Sequence, residues 1–293
     1  MSLTYLLYRL GGAVVPRIPP ALGYQLCAWL GGVLYQVYKP GRMNIQANLR
    51  RVLGPQVSQA EINRRGRATF CHLLYNFFDL FRLPNLDDKA IERLLTVSGW
   101  ENVEVALAQG RGIVMISIHL GNIETVLYAI LQRGSDITIP VMRMEPPEVF
   151  DYVCALRLRK GLKLVPADGS LLELIRVLKK GGIAGIAADR NVTQTGQIID
   201  FFGYPAHLPD GYVRLAVRMN VPLVVGFSHR NLGHTHQAYF LPPFYPPAQG
   251  SEEERVRVSL KYVISEMEKA IAQYPEQWTT TVAVSIWGDS PDL

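Results

Sequence analysis

Charge is the first thing this 293-residue sequence lacks. Asp, Glu, Lys and Arg supply 19% of it, below the share of about a quarter usual in soluble domains. Hydrophobic residues supply 48%, enough for a sizeable core, and the mean hydropathy is +0.09. Either much of the surface is buried or part of it meets lipid. Cysteine is also scarce. Cys27, Cys71 and Cys154 stand far apart, form no C-x-x-C and make no even framework. They read as buried free thiols of a reducing compartment. No basic n-region with an A-x-A site marks a secretory leader. A G-x-S-x-G elbow is missing, which argues against a serine hydrolase. Walker A and G-x-G-x-x-G patterns are missing too. His234 and His236 have no third ligand of the H-E-x-x-H or cysteine-pair kind, so neither a metal nor a cofactor is expected.

Acid is nearly absent from the first quarter of the chain. Arg9, Arg17, Lys39, Arg42, Arg50, Arg51, Arg64, Arg65 and Arg67 face one acid, Glu61. Nine against one is +8, so with a total of +5 the remainder carries −3. A basic, apolar end on a mildly acidic body suits an anionic membrane surface. Nucleic acid is the poorer partner, because the region is too apolar and holds no recognised binding module.

Long hydrophobic runs are lacking as well. Leu3 to Val15 is short and contains Arg9, while Ala21 to Tyr38 carries Gln25, Gln36 and the Gly31-Gly32 pair. A span needs about 20 predominantly apolar residues. Residues 1–40 are therefore expected to form two helices that lie on or dip into the bilayer, with a single N-terminal span as the alternative. Residues 41–293 form the remaining unit.

What is present is a regular alternation. A helix over 58–83 starts at a capping-box pattern, Ser58 with Glu61, and stops at Pro84. Strands are expected at 112–117, 136–142, 163–165, 183–188 and 222–228, and helices at 122–133, 147–160 and 169–180. YFLPP (239–243) suggests an edge strand, and Val256, Leu260, Val263, Ile264 and Met267 mark a helix over about 252–273. The pattern predicts an α/β fold with a mixed, largely parallel sheet flanked by helices.

The chemical signal is Ser117-Ile118-His119-Leu120-Gly121-Asn122-Ile123-Glu124, placed where a buried strand ends and a helix begins. Ligands gather at such strand ends. The turn through Gly121-Asn122 could fold the Glu124 carboxylate onto the imidazole. That would fix the tautomer and leave the other nitrogen to take a proton from a hydroxyl. The first helical amides would face a developing oxyanion.

The wider set of motifs resembles the lipid A biosynthesis late (lauroyl/myristoyl) acyltransferases and their relatives that acylate phosphatidylinositol mannosides. Both are similar to the glycerolipid acyltransferases with an H-x4-D/E motif. The likeness runs from about Asn48 to Trp278. It rests on Asn48-Leu49, Gly110-Arg111-Gly112, the H-x-G-N-x-E of His119 to Glu124, Arg143, Arg157 with Gly161, Asp189-Arg190, Phe201-Phe202-Gly203 and Pro275-Glu276-Gln277-Trp278. Two segments depart from the lipid A pattern. The tail TTTVAVSIW (279–287) has no arginine, and DRNVTQTG (189–196) leans toward the mannoside-acylating group.

The resemblance implies an O-acyltransferase at the cytoplasmic face of the cell membrane. The donor would be acyl carrier protein or acyl-coenzyme A, and the acceptor a membrane glycolipid or phospholipid. His119 would be the general base and Glu124 its orienting partner, with attack direct rather than through an acyl-enzyme. Gly121, Asn122, Arg143, Arg157, Asp189 and Arg190 would bind substrate, the arginines through phosphate. The competing expectation is a non-catalytic lipid-binding protein on the same scaffold.

Overall fold

The computed structural model describes residues 2–167, 169, 171–190, 196–279 and 287. Most of the DRNVTQTG segment and of the TTTVAVSIW tail therefore lies outside the described residues. In chain order the elements are α1 (Leu3–Val14), α2 (Pro20–Val37), α3 (Lys39–Leu53), α4 (Gln59–Arg82), α5 (Asp88–Leu94), β1 (Leu95–Ser98), α6 (Trp100–Leu107), β2 (Ile113–Ser117), α7 (Ile123–Leu131) and β3 (Ile137–Val141). Then come α8 (Pro147–Leu158), β4 (Lys163–Pro166), α9 (Leu171–Lys179), β5 (Ile183–Ala187), β6 (Gln197–Phe201), β7 (Tyr204–Leu208), α10 (Gly211–Met219), β8 (Leu223–Arg230), β9 (His236–Phe240) and α11 (Glu252–Gln273).

Seven strands make one sheet in the order β1-β9-β8-β2-β5-β3-β4. The five from β8 to β4 run parallel; β9 is antiparallel to β8, and β1 parallel to β9. The α/β class and the mostly parallel sheet agree with the sequence pattern. All five residues of β2 are buried. Its side chains alternate between two cores, as a strand covered on both faces must. Val114 and Ile116 join α10 and α11 through Val213, Val217, Leu260 and Val263. Ile113 and Met115 join α6 and α7 through Val103, Val126 and Ile130. The sheet is thus the middle layer of three.

Two local expectations need correction. YFLPP does not make an edge: the strand is His236–Phe240, second from the margin and covered by β1. The four residues of β1 are too short to announce themselves by alternation. The capping box at Ser58 is half formed. Ser58 Oγ accepts the Glu61 amide at 3.2 Å, but the Glu61 carboxylate turns to Arg64 and Arg65 at 2.7 and 2.6 Å.

The N-terminal helices pack on α4 with their small residues inward. A Cβ on Gly31 would lie 2.7 Å from Cα of Cys71, and one on Gly32 2.8 Å from the Arg67 guanidinium. Only glycine permits that approach, which explains the Gly31-Gly32 pair. The outward faces stay apolar and exposed: Leu3, Leu7, Leu10 and Val14 on α1, and Leu26, Trp29, Leu30, Val33 and Val37 on α2. Among the described residues no helix is long and apolar enough to cross a membrane, so the single-span alternative finds no helix there.

Candidate functional site

The parallel core brings the carboxyl ends of β8, β2 and β5 side by side. Ser117 of β2 is paired with Ala187 of β5, and the Ala188 amide donates to the Ser117 carbonyl at 2.8 Å. Two residues beyond each strand stand His119 and Asp189. Register alone makes them neighbours: His119 Nδ1 lies 2.8 Å from Asp189 Oδ1, and the His119 amide donates to Oδ2 at 3.1 Å. Trp278 Nε1 donates to the same Oδ2 at 2.9 Å. Asp189 is fully buried, while the His119 side chain stays 32% exposed. Burial pushes the Asp189 carboxyl up. His119 and the Trp278 donor together outweigh it, so the carboxyl is held below the usual range.

A buried carboxylate on Nδ1 fixes the proton there and leaves Nε2 to accept another. That is the arrangement of a general base with its orienting acid. The partner differs from the one expected. Glu124 makes no hydrogen bond to His119. Its Oε1 takes both Nε and the second guanidinium nitrogen of Arg157, at 2.9 and 2.5 Å. The reason is helical geometry. Asn122 caps α7 by accepting the Glu124 amide at 3.1 Å. Glu124 then belongs to the first turn of α7 and meets α8 rather than the strand end. The Glu124 charge raises the Arg157 guanidinium further.

Gly121 and Asn122 lie beneath the turn. Gly121 has φ +61, and a Cβ there would come 2.5 Å from the Ser228 carbonyl. Its amide donates to the Gln277 carbonyl at 3.0 Å. Asn122 is 2% exposed, and its Nδ2 donates to Asp79 Oδ2 at 3.3 Å. Its carbonyl takes Ser228 Oγ at 2.9 Å and Thr125 Oγ1 at 2.6 Å. Both residues shape the turn. The Glu124 and Thr125 amides are engaged by Asn122 as well, so those helical amides do not face a ligand.

His119 lines a cavity of about 370 Å³ together with Met115, Ile123, Val126, Ile137, Ile139, Val153 and Gly185 among others. Arg157 and Arg190 line it too. The Arg157 fork is occupied by Glu124, whereas Arg190 Nε is buried without a partner among the described residues. Arg143 is exposed and lies outside the lining, between Met142 and Met144, which belong to it. Cys154 also lines the cavity, and burial pushes its thiol up, away from a reactive thiolate.

Sequence reasoning missed a second buried centre that holds the turn from behind. Asp79 of α4 is fully buried. Its carboxylate meets Arg230 at 2.8 Å, His236 at 3.5 Å and the Tyr24 hydroxyl at 2.6 Å. Burial pushes that carboxyl up, and His236, Arg230 and Tyr24 outweigh it to leave it lowered. Arg230 further donates to Asn76 at 2.9 Å, and Asn76 Nδ2 donates to the Gly121 carbonyl at 2.5 Å. The available signal was a lone acid among Phe77, Phe78, Leu80 and Phe81. The side chains of Glu276-Gln277-Trp278 go to three different partners. Glu276 pairs with Arg65 at 2.6 Å, Gln277 bonds both backbone groups of Arg230, and Trp278 holds Asp189.

Comparison with known proteins supplies the frame. The chain is similar to a phosphatidylinositol mannoside acyltransferase of Mycobacterium tuberculosis, 28% identical over 203 residues, which are 66% of this chain and 63% of the relative. The chain thus spans somewhat under two thirds of that relative's length. A phosphatidylinositol mannoside acyltransferase of Mycolicibacterium smegmatis is 25% identical over 76% of this chain and 73% of its own. The lipid A biosynthesis lauroyltransferase of Escherichia coli K12 is 24% identical over 90% of this chain and 85% of its own. The crystal structure of the 1-acyl-sn-glycerophosphate acyltransferase PlsC from Thermotoga maritima superposes loosely, with a TM-score of 0.38 at 17% identity over 85% of this chain and 95% of that one. The model of the bacterial lipid A biosynthesis acyltransferases matches residues 2–281, nearly the whole sequence, and the chain belongs to that family.

Proposed function

We propose that this protein is an O-acyltransferase that moves a fatty acyl group from a thioester, on acyl carrier protein or coenzyme A, to a hydroxyl of a membrane glycolipid or phospholipid. The observation that carries the reading is the His119–Asp189 pair, whose histidine lines an apolar cavity. His119 Nε2 takes the proton of the acceptor hydroxyl as its oxygen attacks the thioester carbonyl. Asp189 stabilises the imidazolium. The tetrahedral intermediate collapses, the C–S bond breaks, and the proton passes from the imidazolium to the departing thiolate. The apolar walls receive the acyl chain. Burial pushes the Cys154 thiol up, which disfavours a covalent route through its thiolate. Arg190, with its Nε unengaged among the described residues, suits phosphate on donor or acceptor. Arg157 acts through Glu124 as a clamp between α7 and α8, and Arg143 is the outermost candidate.

The membrane enters through residues 1–40. Their exposed leucines and Trp29, with Arg9, Arg17, Lys39 and Arg42 nearby, suit an interface-bound surface of the cytoplasmic leaflet. The names of the relatives point to a lipid A precursor or a phosphatidylinositol mannoside as acceptor classes, with a lysophospholipid as the third. The test is acyl transfer from labelled acyl carrier protein and acyl-coenzyme A to each acceptor, followed by mass spectrometry. His119→Ala should lose turnover by about 10²–10⁴-fold while its circular dichroism is unchanged. Near-normal turnover in that variant refutes the assignment.

A further inference from the structure

Asp189 is a fully buried carboxylate. Among the described residues no lysine or arginine pairs with it, and its one ionisable partner is His119 itself, at 2.8 Å. An ionised carboxylate in such a place depends on the N–H groups that point at it. His119 supplies two of them, through its amide at 3.1 Å and through Nδ1. The only other donor to the carboxylate among the described residues is the Trp278 indole, 2.9 Å from Oδ2. We propose that Trp278 is a positioning residue of the catalytic pair: its N–H keeps Asp189 ionised and turned toward Nδ1, and so sets the pH range in which His119 can take a proton from the acceptor hydroxyl.

Backbone bonds hold the indole beside the turn it serves. Leu120 and Trp278 form an antiparallel bridge. On either side of it the Gly121 amide donates to the Gln277 carbonyl at 3.0 Å, and the Thr279 amide to the His119 carbonyl at 3.2 Å. Trp278 therefore rides on the same turn as the histidine that Asp189 orients. Phe201 and Trp287 meet its ring edge to face, at 6.0 and 6.1 Å, and only 2% of the residue is exposed. Volume alone at such a position would be met by Phe or Leu. Tryptophan adds an N–H that must find a partner when buried. That N–H can donate and cannot accept, so it favours the carboxylate over the carboxylic acid.

The direction of the effect follows from the donor count. Without the indole N–H, Oδ2 keeps one donor. The anion is then less well satisfied and holds the imidazolium proton more tightly. The pair takes up its proton at higher pH, whichever member carries it. The neighbouring groups do not blur this. Tyr212 of α10 stays neutral, because burial, Asp210 and Asp189 all push its phenol up. Arg190, next in the chain, is a fixed cation. Arg157 of α8, in the cavity wall, is matched by Glu124.

The rate effect rests on the acyl-transfer reading, and the experiment therefore has two readouts on the full-length protein. Benzothienylalanine at position 278 keeps the bicyclic shape and carries sulfur in place of the N–H. Trp278→Phe is the second variant, and Trp100→Phe on α6 the control. The kcat/KM for acyl transfer is followed across pH. The His119 imidazole is titrated by NMR of ring-labelled histidine, its signal identified by its loss in His119→Gln. Removing the N–H should move both the acid limb and the imidazole midpoint up by about one pH unit, the roughly tenfold worth of a hydrogen bond to a charged group. Turnover below the limb should fall about tenfold and recover to within about threefold of wild type on the alkaline plateau. Trp100→Phe should leave both midpoints in place. If Trp278→Phe does not fold, the isosteric variant decides. Midpoints that stay or fall in a folded variant, or a loss equal at every pH, overturn the proposal. A wild type that transfers no acyl group strikes the acyl-transfer reading instead, and the imidazole titration alone then decides the role of Trp278.

Discussion

Asp189→Asn is the sharpest test of the site, because the change is one atom in a fully buried position. In the wild type, Oδ2 accepts two N–H groups, from the His119 backbone and the Trp278 indole, while Oδ1 faces His119 Nδ1. Asparagine has one acceptor oxygen and one NH₂. The oxygen must stay with the two N–H donors, since the reverse placement buries three donors against one another. The NH₂ then faces Nδ1 and donates to it. The imidazole responds by carrying its proton on Nε2, the atom that has to accept the acceptor's proton. The fold is kept and the base is lost. Turnover should fall by about 10²–10⁴-fold, against a stability change near ~1 kcal/mol for one altered hydrogen bond. The assay is single-turnover acyl transfer beside a thermal melt, with Glu124→Gln as the comparison. Glu124→Gln weakens the clamp to Arg157 but leaves Nδ1 with its carboxylate, so its loss should be the smaller by at least tenfold. An Asp189→Asn enzyme within threefold of wild type, or a folded Glu124→Gln that loses as much, refutes the pairing.

The acid limb of stability gives an independent check on one histidine. Burial is the largest cause that lowers His72, to about 3, followed by the charges of Arg230, His234 and His236. The unfolded chain therefore binds a proton below about 6.5 that the folded chain refuses, and stability falls as pH drops from there toward 3. His72→Phe should flatten that part of a urea-melt profile; an unchanged slope contradicts the burial. Arg190→Ala should weaken use of phosphate-bearing substrate by about tenfold or more, read as KM, and unchanged constants make the residue structural. Leu7→Asp with Trp29→Asp should reduce flotation with anionic vesicles without moving the melt, because both side chains are exposed. Each apolar side chain gains up to about 1.5–3 kcal/mol on burial, a term that salt does not screen. Equal flotation of variant and wild type places the membrane contact elsewhere.

The alternation of strands and helices was legible because the core strands are buried on both faces. Such strands read as short unbroken apolar runs: IVMIS, IAGIA and LVVGFS each carry their position in composition. The short β1 and the β6–β7 hairpin carry no such run. β1 is a short strand whose partner lies far along the chain, Val97 pairing with Ala238 and Ser98 with Tyr239. The hairpin turns at Phe202 and Gly203, both at positive φ, a conformation that a Phe-Phe-Gly string does not advertise. Residues 1–40 are part of the fold as well as a candidate membrane surface. Tyr24 and the glycine face of α2 are built into α4, so point changes on the exposed face probe the membrane where a deletion would tear the core.

The site was legible as a set of residues and not as a set of pairs. His119, Glu124, Arg157 and Asp189 were all visible in the motifs, yet sequence spacing favoured the nearby Glu124 over an aspartate 70 residues away. Spacing is a sound guide only while both residues sit on one element. Here a helix begins between them: Asn122 caps α7, and the cap commits Glu124 to the helix and to Arg157. The strand pairing of Ser117 with Ala187 does the opposite for Asp189, placing two residues of distant sequence at equivalent positions past adjacent strand ends. Strand order is a property of the whole sheet, and no local pattern around His119 contains it. The turn sequence therefore has a divided labour: its histidine faces the cavity, its glycine and asparagine lean on β8 and Asp79, and its glutamate ties the first helix turn to α8. A carboxylate that must hold an imidazole without competing for α7 comes better from the neighbouring strand than from the helix.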